Sequence, residues 1–149
     1  MRNRRSSRIA RFLVVCGLAA GSFGAKCSNL PVAASTLPCD ADVAEIAIWD
    51  GRIQKVCGCG GVDGEFADVG SPLSCTFKLG TRAFVYYHGP FLQHQFVSVG
   101  LPALPNGPVF DPDADSPNRA HSFEPDATGT YNFKDEYDNT ILGTIVVTP

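Results

Sequence analysis

No part of this chain reads as a helix of useful length, and no glycine-rich loop leads into one. The phosphate cradles of nucleotide-binding folds are therefore missing from the pattern. The serines lack a His/Asp set placed for nucleophilic chemistry and the cysteines read as structural, so no enzyme signal stands out. Basic residues are scarce beyond Ala34: six of the twelve precede that point, together with none of the fifteen acidic ones. The longest apolar run, Leu13 to Ala20, falls short of the roughly 20 residues that a membrane span requires.

What is present begins with a leader. Arg2, Arg4, Arg5, Arg8 and Arg11 precede the apolar run and a small-residue stretch, the layout of an export signal over residues 1–34. Val32-Ala33-Ala34 and Ala19-Ala20-Gly21 are both acceptable cleavage sites. Residues 35–42 read as an N-terminal tail and 43–149 as one domain, in a chain whose 44% hydrophobic content suffices for a core. Without the leader, six basic residues face fifteen acidic ones, a net charge near −9. That sign disfavours nucleic acid and anionic lipid and favours cations or basic partners in the periplasm or outside the cell.

Cys39, Cys57, Cys59 and Cys75 form an even set in an exported domain, and two disulfides are the first reading. A four-thiolate zinc site is the alternative, although one lone Cys, a CxC and another lone Cys do not match the paired CxxC of zinc ribbons. A bridge across the single residue between Cys57 and Cys59 would be strained, which leaves two connectivities.

Strand signals fill the rest: Val43 to Trp49, Arg52 to Cys57, Leu73 to Leu79, Arg82 to His88, Gln93 to Val99, Ala120 to Glu124, Thr130 to Lys134 and Thr144 to Thr148. Seven or eight short strands separated by turns predict an all-β antiparallel sandwich. Two long connections interrupt them. Gly58 to Pro72 is glycine-rich; Gly100 to Pro117 carries Asp111, Asp113 and Asp115 but lacks the Gly and Glu of an EF-hand loop, so it reads as a solvated acidic loop.

The end of the chain is the most informative stretch. In Gly129 to Val147, Tyr131, Phe133 and Asp135 share one strand face, so an ionisable group closes an apolar row. GTY, an aromatic, a short loop and then GTIVV resemble the closing strands of the cupredoxins, the blue copper family of plastocyanin, azurin and amicyanin. The likeness extends over about Val43 to Pro149, through Leu79-Gly80-Thr81 and through His94 entering a strand. It implies a Greek-key sandwich with copper ligands at four positions. Those positions hold His94, Asp135 in place of the Cys, Asp138 in place of the second His, and Ile141 in place of the Met.

The blue centre depends on the missing thiolate. The resemblance therefore implies an exported cupredoxin-like module that has lost the type 1 copper site, non-catalytic and without cofactor, acting through an unknown protein partner. The alternative is a copper- or zinc-binding periplasmic protein, an electron carrier or metal binder, with a non-blue site drawn from His94, Asp135, Asp138 and His88.

Overall fold

The computed structural model describes residues 39–149. The leader of residues 1–34, both cleavage sites and most of the tail lie outside them.

Eight strands follow in order: β1 (Val43–Trp49), β2 (Arg52–Cys57), β3 (Leu73–Lys78), β4 (Arg82–Tyr87), β5 (Phe96–Val99), β6 (Ala120–Phe123), β7 (Gly129–Asp135) and β8 (Leu142–Thr148). Alternation decides which side of each strand is covered. Ala44, Ile46 and Ile48 of β1 and Ala83, Val85 and Tyr87 of β4 turn inward, as do Leu73, Cys75 and Phe77 of β3 and Ile145 and Val147 of β8. Each large apolar side chain buried this way contributes about 1.5–3 kcal/mol, so the shared inner faces dominate the stability of the sandwich.

The strands form two four-stranded sheets, in the orders β2-β1-β4-β6 and β3-β8-β7-β5. β1 runs parallel to β4 and β3 parallel to β8, while the other neighbours are antiparallel. Parallel neighbours cannot be joined by a tight hairpin, so the chain must cross repeatedly between the two sheets. The loops of those crossings gather at the ends of the sandwich.

Two disulfides, Cys39–Cys57 and Cys59–Cys75, select one of the two connectivities left open by the sequence. The first holds the start of the described chain to the end of β2. The second joins the segment after β2 to β3 in the other sheet. Gly58 divides them: its φ of +69° is open to glycine, and a Cβ there would collide with the Val43 carbonyl oxygen. The chain turns at this point, so adjacent cysteines serve different sheets. Disulfides persist in oxidising compartments, which is consistent with export.

One boundary differs in a way that matters for the site. The sequence predicts a strand from Gln93, whereas β5 starts at Phe96. His94 instead makes an isolated bridge to Phe110, with its N–H donating to the Phe110 carbonyl at 3.0 Å and its carbonyl accepting at 2.8 Å. Gln95 is drawn toward the end of β7, where its carbonyl accepts the Glu136 N–H at 3.0 Å and its own N–H reaches the Asp135 carboxylate at 3.4 Å. His94 thus pairs by its backbone with Phe110 instead of with β7, and only the Gln95 N–H turns to a side chain.

Candidate functional site

Three segments converge at one end of the sandwich: the β1–β2 turn, the β4–β5 connection and the end of β7. The Asp50-Gly51 turn offers the Asp50 carboxylate, which accepts the N–H groups of Phe91 at 3.2 Å and Leu92 at 3.1 Å. Those bonds fold the β4–β5 connection back over the turn. At the end of β7, Asp135 continues the inward row of Tyr131 and Phe133 and is itself buried. Its Oδ1 accepts the N–H groups of Tyr137 at 2.8 Å and Asp138 at 3.2 Å. A buried carboxylate needs such donors, and here the following loop supplies them.

His94 lies between the two carboxylates, with no exposed surface. Its Nδ1 is 2.9 Å from Asp135 Oδ2 and its Nε2 is 3.2 Å from Asp50 Oδ1. An ionised carboxylate only accepts, so a ring that donates from both nitrogens, an imidazolium, satisfies both contacts at once. Burial alone would push its pKa down, but the bonds and charges of Asp135, and then of Asp50, raise it above the ordinary 6.5. Tyr87 and Phe110 flank the ring in nearly parallel orientation, with centroids 6.4 and 6.1 Å away. Burial pushes the Tyr87 hydroxyl up to about 12, so it stays protonated, and it accepts the Phe96 N–H at 3.1 Å.

Gly89 closes the arrangement. A Cβ at this position would collide with Asp50 Oδ1 and His94 Nε2, so only a glycine allows the backbone to pass this close.

Of the residues singled out in the sequence, the structure joins His94 and Asp135 directly. Asp138 is adjacent but directed elsewhere. Its carboxylate accepts the Gly51 N–H at 2.9 Å, the Thr140 N–H at 3.0 Å and the Thr140 hydroxyl at 2.6 Å. Burial would raise its pKa, yet the Thr140 and Gly51 donors and the His94 charge hold it below the usual carboxylate range. It clamps the β7–β8 loop to the β1–β2 turn. Ile141 is buried in the core.

His88 stands apart from this group. Tyr87 points inward, so its neighbour His88 points outward, stacked on Trp49 at 4.6 Å. Burial, and then the Arg119 charge, lower its pKa below 6.5. Trp49 is the single tryptophan, and protonated imidazole quenches a stacked indole. We expect Trp49 emission to fall on acidification with a midpoint below 6.5, and to lose that step in His88→Gln; a midpoint above 6.5 would mean that burial and the Arg119 charge do not govern this ring, and no step at all would contradict the stacked geometry.

Asp50 is the residue that sequence reasoning missed. Asp-Gly between two strands is a complete hairpin-turn signal, which accounts for the aspartate without any distant partner. Among the described residues, no group of three or more His, Cys, Asp or Glu side chains is arranged to hold a metal ion.

No protein-family model matches the chain, and no curated protein matches it. Among solved structures it is similar to reduced rusticyanin at 1.9 Å, with TM-score 0.40 and 15% identity over 71% of this chain and 78% of that one. Rusticyanin from Thiobacillus ferrooxidans at 1.27 Å gives TM-score 0.40 and 16% identity over 71% and 76%. A histidine-to-methionine variant of rusticyanin gives 0.37 and 15% over 71% and 76%. The present chain is a β-sandwich of two four-stranded sheets. Its own two sheets and two parallel strand pairs carry that description. The position where the resemblance implies a thiolate holds Asp135, whose carboxylate lies 2.9 Å from the His94 imidazole.

Proposed function

We propose that this chain is an exported, non-catalytic binding or interaction module, acting in the periplasm or outside the cell, in which a proton on His94 occupies the role a metal would have. The observation that supports this reading is the pair of His94 contacts, 2.9 Å to Asp135 and 3.2 Å to Asp50, one from each ring nitrogen. A metal binds imidazole through a lone pair, and a ring that donates from both nitrogens has none to offer. Binding would have to expel a proton that two carboxylates stabilise, and the raised pKa of His94 makes that expulsion costlier.

Calorimetric titration of the purified protein with Cu²⁺ and with Zn²⁺ at pH 7, in buffers of differing ionisation enthalpy, tests this. We expect weak binding without coupled proton release and no intense visible band. Stoichiometric uptake that releases one proton, and weakens as pH falls, would establish the alternative of a non-blue His/Asp metal site in an electron carrier or metal binder.

A further inference from the structure

Between β4 and β5 the chain is fixed at two points by its backbone. The His88 N–H donates to the Ile48 carbonyl at 2.8 Å, and His94 exchanges two bonds with Phe110. Residues 89–93, between those points, belong to neither sheet. Among the described residues, their backbone makes two hydrogen bonds, from the N–H groups of Phe91 at 3.2 Å and Leu92 at 3.1 Å, and both end on the Asp50 carboxylate. The Gln93 amide adds one side-chain bond, to Asp111 at 3.0 Å.

Apolar burial contributes little to holding this segment. Pro90, Phe91, Leu92 and Gln93 are all exposed, Phe91 at 84%. The core takes Tyr87 and Phe96 from the flanking strands and no side chain from 89–93. A segment with few buried apolar contacts, held by peripheral hydrogen bonds, opens far more readily than the sheets beside it.

What the segment covers is the His94 ring. Tyr87 and Phe110 lie alongside that ring, and its Nδ1 faces Asp135, which has no exposed side-chain surface. The Nε2 edge is closed differently. It faces Asp50, which is partly exposed, and the backbone of Gly89, which passes so close that a Cβ there would collide with Nε2 and with Asp50 Oδ1. The route from solvent to the ring therefore runs past Asp50 and Gly89. One carboxylate serves both contacts: Asp50 Oδ1 faces Nε2 and accepts the Leu92 N–H, while Oδ2 accepts the Phe91 N–H.

We infer that residues 89–93 are a strap latched by Asp50, which opens while both sheets stay folded and so controls access to the Nε2 edge of His94. The firm points at His88 and His94 confine the movement to the residues between them. A partner that engages His94 has to displace the strap first. This goes beyond the binding-module reading and does not rest on it: the strap covers the ring whether His94 keeps a proton or takes up a metal, so the metal titration above can fail without touching the strap.

Native-state amide hydrogen exchange tests the opening, and carbethoxylation of the histidines by diethyl pyrocarbonate at pH 7, read by peptide mass spectrometry, tests the access. In the wild type the Phe91 and Leu92 amides are expected to exchange by local opening, at rates insensitive to low denaturant. The amide of Val85, buried on β4 in the middle of its sheet, should exchange only through global unfolding. Exposed His88 should react readily and His94 slowly. Leu92→Pro removes one donor to the latch, and Gly89→Ala wedges a methyl group against it; neither alters Asp50 or the ring. Each is expected to speed both the exchange of the Phe91 amide and the carbethoxylation of His94 about tenfold, the factor that loss of one hydrogen bond to a charged group allows. Unchanged protection of Val85 shows that the sandwich is intact. Exchange of Phe91 and Leu92 in step with Val85 in the wild type would overturn the inference, because the segment would then open only with the sandwich. So would His94 reacting as fast as His88 in the wild type, or unchanged His94 reactivity in both variants.

Discussion

Replacing His94 by glutamine is expected to cost about 3–5 kcal/mol, the range for removing one partner from a buried ion pair. Loss of a hydrogen bond alone would cost about 1–3 kcal/mol, so the charge decides the magnitude. Asp135 has no exposed side-chain surface and Asp50 is 21% exposed, which leaves one fully buried carboxylate without its counter-charge. Chemical denaturation at pH 6 measures the effect directly, and thermal unfolding should fall by roughly 10–20 °C. A loss under about 1 kcal/mol would mean that the ring is neutral in the folded protein.

The dependence on pH has a definite sign. His94 has a folded pKa above its unfolded value of 6.5, so its contribution is complete below 6.5 and is lost as pH rises through the folded pKa. His88 and His121 are shifted the other way, chiefly by burial; their contributions are present above 6.5 and are lost as pH falls through their folded values. The two trends oppose each other in the wild type. The difference between wild type and His94→Gln isolates the His94 part: it should be largest at and below pH 6.5 and shrink in alkali.

Much of this was legible in the sequence, for reasons that also mark where reading stops. The bounds of β1 and β2 follow from alternation and a turn at Asp50-Gly51. Asp135 was visible as a site residue because period two places it at the end of an apolar row, and a charge at the end of a core strand demands a partner. His94 was visible because the resemblance brings it to the same end of the sandwich.

Asp50 was hidden by its turn, since a residue that local geometry explains gives no sign of a contact 44 positions away. The carboxylate of Asp138 was placed toward His94, whereas the Asp-Asn-Thr sequence satisfies it locally through Thr140. His88 could have been set aside by parity: Ala83, Val85 and Tyr87 fill the inner face, so an outward His88 cannot reach the core. The pairing of the cysteines was out of reach, because it depends on the turn at Gly58 and on which sheet each side chain then faces.

That pairing leads to the second large effect. Both disulfides close loops of similar length, with separations of 18 and 16 residues, so loop-closure entropy alone assigns each about 3 kcal/mol. Burial separates them. Cys59 and Cys75 are 1% and 0% exposed and belong to the core, and their bridge links the segment after β2 to β3 in the other sheet. Cys39 is only partly buried and Cys57 is 7% exposed, outside the central cluster. Removing the inner bridge therefore also empties a sulphur-sized space between the sheets, a further ~1 kcal/mol or more. Cys59→Ala/Cys75→Ala should lose roughly 4 kcal/mol in guanidinium titrations, and Cys39→Ala/Cys57→Ala roughly 3 kcal/mol or less. The native protein should meanwhile show no alkylatable thiol among these four cysteines. Equal losses would mean that the inner site collapses around the missing sulphurs, and a larger loss for the outer pair would show that burial does not decide the ranking of the two bridges.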